Sequence, residues 1–246
     1  MAGSCPIPCG LFSRRLTVPA PATHHVGMTV KPWREPAARA LSRLLPVDVL
    51  CYVATEARKF ALTFDDGPHP MTTPGLLDVL ARHSARATFF LIGARVAGNE
   101  TLVARIAAEG HELANHLMHD ERSVLMAADR FRRELAEVTS LLAPFGPVRW
   151  VRPGSGWFTP RMLRAAGEQD LRLVLGSVAA MHTGAPDDRL IAPMLAGEVR
   201  PGSIVVLHEG TAARRGVVAA TDLLLTSLGR RGLTAVTVSE LAALRR

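Results

Sequence analysis

The chain is expected to fold as one α/β domain: a mainly parallel sheet with helices outside it, open or closed as a barrel. Three observations carry this expectation. The 246 residues are 48% apolar, enough for one large core, and α/β barrels often reach this length as single domains. Short apolar runs rich in β-branched and aromatic residues alternate with stretches whose apolar residues recur at helical spacing, the pattern of repeated strand–helix units. Ionisable residues gather just after the strand-like runs, where barrels assemble their chemistry.

In chain order, residues 1–32 are rich in Pro, Ala and Thr without any period and read as a disordered leader, with Met28 as an alternative start. A short helical pattern runs from Trp33 to Leu45 and stops at Pro46, since proline cannot continue a helix. Strands are expected at 49–54, 60–64, 87–92, 112–115, 148–151, 172–176, 203–207 and 233–236. Between them, Pro74 opens PGLLDVLARH, with Leu76, Leu77 and Leu80 on one face. Asn99 is placed to cap ETLVARIAAEG, which Gly110 ends. AADRFRRELAEVTSLLA keeps Phe131, Leu135, Val138 and Leu142 in helical register. Further helices are expected at 160–168, 187–196, 217–228 and 239–246.

Composition narrows the function. The net charge of +7 is almost wholly arginine, Lys occurring only at Lys31 and Lys59. The arginines are scattered, with pairs such as Arg132–Arg133 and Arg214–Arg215, and no basic stripe interleaves with aromatics. A solvated basic surface accounts for this better than nucleic-acid binding. Cys5, Cys9 and Cys51 form no disulfide or zinc-thiolate pattern. No apolar stretch approaches the ~20 residues that span a bilayer. Pro6, Pro8, Arg14 and Arg15 interrupt any secretory apolar segment.

The stretch FALTFDDGPHP (60–70) sets two like charges, Asp65 and Asp66, at the end of an apolar strand. Adjacent carboxylates repel more strongly away from water, so a positive group is needed beside them. Three other strand ends offer reactive side chains: His116, His119 and Asp120 after 112–115, Arg152 after 148–151, and His208 after 203–207. One helical turn would bring His116 and Asp120, four apart, to one face, and His119 is a geometric substitute. With one of the two aspartates they make an N/O ligand set suited to zinc or a harder divalent ion. A bend at Gly67–Pro68 would let both carboxylates point inward, one binding the ion and the other free as a base. The plainer alternative is that the acids cap the following loop.

TFDDGP, NHLMHD, RPGSG and IVVLH, in this order, resemble the motifs of the polysaccharide deacetylases, carbohydrate esterase family 4 with its NodB-homology domain. The resemblance covers about residues 47–246, within a catalytic domain bounded at 33–246. It implies a distorted (β/α) barrel and metal-dependent removal of N-acetyl groups from amino sugars. The implied ion is zinc, with cobalt, manganese or nickel as alternatives. Asp65 matches the base, Asp66 and His116 metal ligands, and Arg152 the arginine that orients and charge-balances the base. Asp120 takes the remaining ligand place at the fifth position of its motif, with His119 as stand-in. Pro153 and Gly156 keep their motif's turn, His208 matches the general acid, and Leu207 the pocket-lining leucine before it. Trp157 and Phe158 are candidates to stack on a sugar ring. Two departures stand out. Leu117 replaces a Ser/Thr, and VLGSVAAMHTGAPDD carries Met181 and His182 where an acid partner of the histidine belongs, with Asp187 and Asp188 coming late.

The expected protein is therefore a monomeric hydrolase of linear amides acting on a carbohydrate with N-acetylated amino sugars, chitin-like or peptidoglycan-like. The alternatives are a deacylase of a non-sugar amide and a degenerate carbohydrate-binding protein.

Overall fold

A computed structural model describes residues 49–179 and 188–245. The expected leader, the helical pattern 33–45 and the acid-partner candidates at 181–187 lie outside the described residues. Within them the elements run β1 Val49–Leu50, β2 Lys59–Gly67, α1 Thr73–Arg82, β3 Thr88–Leu91, α2 Glu100–Ala108, β4 Glu112–Asn115, α3 Ala128–Leu142, β5 Trp150–Val151, α4 Pro160–Gly167, β6 Arg172–Val174, β7 Val178–Ala179, α5 Asp188–Glu198, β8 Ile204–His208, α6 Val217–Arg230, β9 Thr234–Val236 and α7 Val238–Ala242. The described strands form one sheet in the order β1-β6-β5-β4-β3-β2-β8-β7, with β9 beside the start of β2. Every pairing is parallel. The sheet curls until Tyr52, just after β1, bridges Ser203 at the entry to β8. This is the distorted (β/α) barrel expected from the sequence.

Strand alternation assigns each side chain to a layer. Phe60, Leu62 and Phe64 of β2 and Val205 and Leu207 of β8 face outward, packing with Leu76, Leu80 and Leu224 of the helices. Ala61, Phe90, Ala114, Trp150, Val174 and Ile204 fill the inside of the curl. The same inward parity, one step closer to the carboxyl ends, is occupied by Thr63, Asp65, His116, Arg152 and His208. At the opposite end α7 is pinned beneath the curl. Glu112 accepts from Thr88 Oγ1 at 2.7 Å and from Ser239 N at 3.1 Å, and Trp150 Nε1 donates to it at 3.1 Å. Among the described residues no helix is long and apolar enough to cross a membrane.

Three local expectations are corrected. Strand β2 does not stop at Phe64 but carries both aspartates through to Gly67. Its register against β3 slips between Asp65 and Gly67, and Asp66 has φ 71°. Asp66 is thus a bulge residue, and this bulge, rather than the Gly67–Pro68 bend, lets neighbouring carboxylates serve one site. Asn99 makes no side-chain cap to α2; its Nδ2 donates to Arg95 O at 3.0 Å instead. Strand β7 went unanticipated because two residues are too few to show a period.

Candidate active site

Each aspartate has its own set of cations. Asp65 Oδ1 accepts from Arg152 Nη1 at 2.5 Å, and both side chains are about 4% exposed. The guanidinium is fixed on several sides. Its Nη1 also donates to Thr63 Oγ1 at 2.8 Å, its Nε donates to Val174 O at 3.3 Å, and it lies 4.0 Å from the Phe90 ring centroid. Thr63 in turn donates to Val205 O at 2.7 Å. Strands β2, β5, β6 and β8 are thereby tied together around one carboxylate.

Asp66 faces the other way around the bulge. Its Oδ1 lies 3.2 Å from His116 Nε2, its Oδ2 accepts from Arg214 Nη1, and its backbone carbonyl accepts from Arg95. His116 Nδ1 lies 2.6 Å from Arg152 O. A carbonyl can only accept, so Nδ1 carries a proton and Nε2 is turned to Asp66. Burial alone would raise the Asp66 pKa, but the hydrogen bond and charge of His116 and the charges of His208 and Arg214 hold it well below the usual carboxylate range. Burial likewise opposes a charged His116, and the two aspartates overcome it and raise its pKa. The positive group demanded by the sequence is therefore supplied here by His116, Arg152 and Arg214.

The segment carrying Asp120 is not a helical turn. Leu117 has φ 64°, which a helix excludes, and the following residues form bends. Leu117 is fully buried against Phe131, Leu135 and Met162, which explains an apolar residue in place of a hydroxyl. The loop is braced instead by Asn115, whose Oδ1 accepts from Leu117 N at 2.8 Å and whose Nδ2 donates to Leu135 O at 3.0 Å. Asp120 is half-exposed, with Oδ2 3.9 Å from Arg95 Nη2. His119 is exposed.

His208, the last residue of β8, holds Nε2 3.9 Å from Asp65 Oδ2. Burial pushes its pKa below the ordinary histidine value, against the charges of Asp65 and Asp66. A cavity of about 290 Å³ opens beside His208, lined by Asp66, Asp120, Glu121, Arg122, Ser155, His208 and Arg214. Leu207 does not line it; parity sends its side chain into the outer core. The RPGSG loop forms one wall. Gly154 N donates to Ser123 Oγ at 2.8 Å, and a Cβ on Gly154 would lie 2.0 Å from Glu121 O. Glycine is thus required there as much as at Gly156, which has φ 69°. Pro153 is buried at the loop's base, Phe158 packs on the cluster around Phe131, and Trp157 is 62% exposed.

Sequence reasoning missed three contributors. Arg214 stood out only as half of an arginine pair and Arg95 not at all, and Glu209 directly follows His208 in the chain. Glu209 points away from the cavity, as strand continuation requires. It is fully buried and accepts from Thr72 Oγ1 at 2.8 Å and Thr73 Oγ1 at 2.7 Å, while its Oε1 has no partner. A Cβ on Gly67 would lie 2.2 Å from that oxygen. Burial pushes the Glu209 carboxyl up to about 7.

The donor chemistry fits a divalent ion in part. Asp66 and His116 already stand together, buried, with His116 held by a backbone carbonyl, as metal-bound histidines usually are. Asp120 lines the same cavity. Among the described residues, however, no three such donors are close enough together to hold an ion as they stand.

Comparison with known proteins identifies the family. Residues 52–174 match the family model described as polysaccharide deacetylase. A chitooligosaccharide deacetylase of Sinorhizobium fredii is 36% identical over 72% of this chain and 89% of its own length. The crystal structure of the Bc1960 peptidoglycan N-acetylglucosamine deacetylase superposes with TM-score 0.76 at 28% identity, covering 81% of this chain and 95% of that one. A family 4 acetyl xylan esterase of Clostridium thermocellum, solved with a cobalt ion, superposes with TM-score 0.71 at 28% identity, over 76% and 91% of the two chains. With its motifs distributed over the strand ends of a curled parallel sheet, the chain belongs to the polysaccharide deacetylase family, carbohydrate esterase family 4.

Proposed function

We propose that the protein is a divalent-metal-dependent deacetylase that removes N-acetyl groups from amino sugars of a chitooligosaccharide-like or peptidoglycan-like glycan. One observation carries the reading: adjacent carboxylates are given separate partners by the bulge at Asp66. Asp65 sits on Arg152 with His208 facing it, while Asp66 sits on His116. The similarity to a chitooligosaccharide deacetylase and to a peptidoglycan N-acetylglucosamine deacetylase supports both glycan classes.

Asp66, His116 and Asp120 would hold the ion, zinc in the first instance, with cobalt, manganese or nickel as alternatives. When bound, it supplies Lewis acidity to the acetamide carbonyl. Asp65 takes a proton from the attacking water, and Arg152, bonded to its Oδ1, aims that carboxylate. His208 delivers a proton to the departing nitrogen as a general acid. Water adds to the carbonyl carbon, the C–N bond breaks, and acetate and a free amino sugar leave. Trp157, exposed at the rim, offers a face for a sugar ring.

The test is acetate release from chitooligosaccharides and from peptidoglycan, each with and without a strong chelator, for wild type and Asp65→Asn. Chelator-sensitive release by wild type and none by Asp65→Asn is expected. Release that ignores the chelator, or no release from either glycan by zinc-loaded protein, would overturn the proposal.

A further inference from the structure

The carboxylate assigned above to the metal is already engaged by a cation from the chain itself. Asp66 Oδ2 is bonded by Arg214 Nη1, and the same nitrogen donates to Glu209 O at 2.8 Å. Asp66 Oδ1 faces His116, so each oxygen of the buried carboxylate already has a basic partner. Asp120, half-exposed, has Oδ2 3.9 Å from Arg95 Nη2, and Arg95 also bonds the Asp66 carbonyl. Arg214 lies in a short turn, Ala212–Arg214, on the loop leaving β8, and its side chain is 28% exposed. Asp66 is 4% exposed. Of the two partners, then, the arginine is the one with room to move.

We infer that Arg214 is an internal counter-cation competing with the metal for Asp66, so that loading the site and displacing the Arg214 guanidinium are a single equilibrium. The inference rests on the metal reading given above. Its physical basis is direct. A dication and a guanidinium bonded to the same carboxylate repel each other strongly in a site largely removed from water. Without the metal, Arg214 offsets the buried charge of Asp66. With the metal, that role is taken over, and the guanidinium is released into the cavity it already lines. Metal affinity is accordingly the direct affinity of the ligand set less what Arg214 must give up. A charge-assisted hydrogen bond to a buried carboxylate sets that term on the order of a tenfold change in Kd.

Zinc and cobalt binding to apo protein, measured by competition with a chromophoric chelator, tests this in wild type, Arg214→Gln and Arg214→Lys. Circular dichroism and the melting temperature of each apo form report folding. Arg214→Gln is expected to bind both ions about tenfold more tightly while its apo form melts lower, with Arg214→Lys between it and wild type. An unchanged or weaker Kd in a folded Arg214→Gln would overturn the inference while leaving the metal reading standing. Loss of binding in all three proteins would overturn both. Wild type gives an independent measurement: tryptic cleavage after Arg214 should speed up when zinc is added, and unchanged cleavage or protection by zinc would contradict release of the Arg214 side chain.

Discussion

Replacing Glu209 by Gln isolates a single buried charge. The wild-type carboxyl is fully enclosed, and its pKa is moved from the ordinary 4.5 to about 7, chiefly by burial, against the hydrogen bonds of Thr73 and Thr72. At about 1.4 kcal/mol for each tenfold change in proton affinity, this amounts to about 3 kcal/mol. The sign follows from linkage: the folded chain keeps the proton while the unfolded chain loses it, so stability falls as pH rises. The contribution is full below about 4.5, declines through the interval, and is lost above about 7. Gln presents the same acceptor to both threonines and does not titrate. The stabilities of the two proteins should therefore nearly coincide at pH 5 and diverge to about 3 kcal/mol in favour of the variant at pH 8. Urea unfolding followed by tryptophan fluorescence, in chelator at half-unit pH steps, reads this difference, and titrations common to both chains cancel. Parallel curves would show that Glu209 is ionised in the fold across the whole range, and the burial argument would fail.

Other outcomes follow from the same geometry. Arg152→Ala leaves Asp65 buried without its cation and should cost about 3–5 kcal/mol in thermal or urea unfolding. Asp65→Asn should abolish turnover with metal content near wild type, whereas Asp66→Asn should lower both; equal metal loss by elemental analysis would refute the division of roles. Asp120→Ala should lose more metal than His119→Ala, since only Asp120 lines the cavity. His208 is lowered from its ordinary value by burial, so the acid form is lost early as pH rises. The alkaline limb of kcat/KM should therefore fall by about neutrality, and His208→Ala should cost on the order of 10²–10⁴ in rate. Activity flat well into alkaline pH would remove His208 from the role of acid.

What the sequence by itself determined is whatever local pattern dictates. Strand–helix alternation and chain length were sufficient for a parallel α/β domain, and β4 lies where its apolar run placed it. The placing of Asp65, His116, Arg152 and His208 at the ends of separate strands was legible too. The acidic pair announced its need for positive charge because buried like charges are costly whatever the fold. The tertiary structure alone decided which cations answer it. Arg214 meets Asp66 across 148 residues and Arg152 meets Asp65 across 87, and no local periodicity encodes such pairings. The bulge at Asp66 was hidden because it arises from the register between two strands, not from either strand alone. Leu117 read as a lost hydroxyl until packing gave it Phe131 and Leu135 as neighbours. Leu207 read as a pocket residue until parity turned it into the core. Sequence specifies which groups are present and their periodicity along the chain. Which of them meet is decided by closure of the sheet, because only there do distant side chains enter the same few cubic ångströms and feel one another's charge.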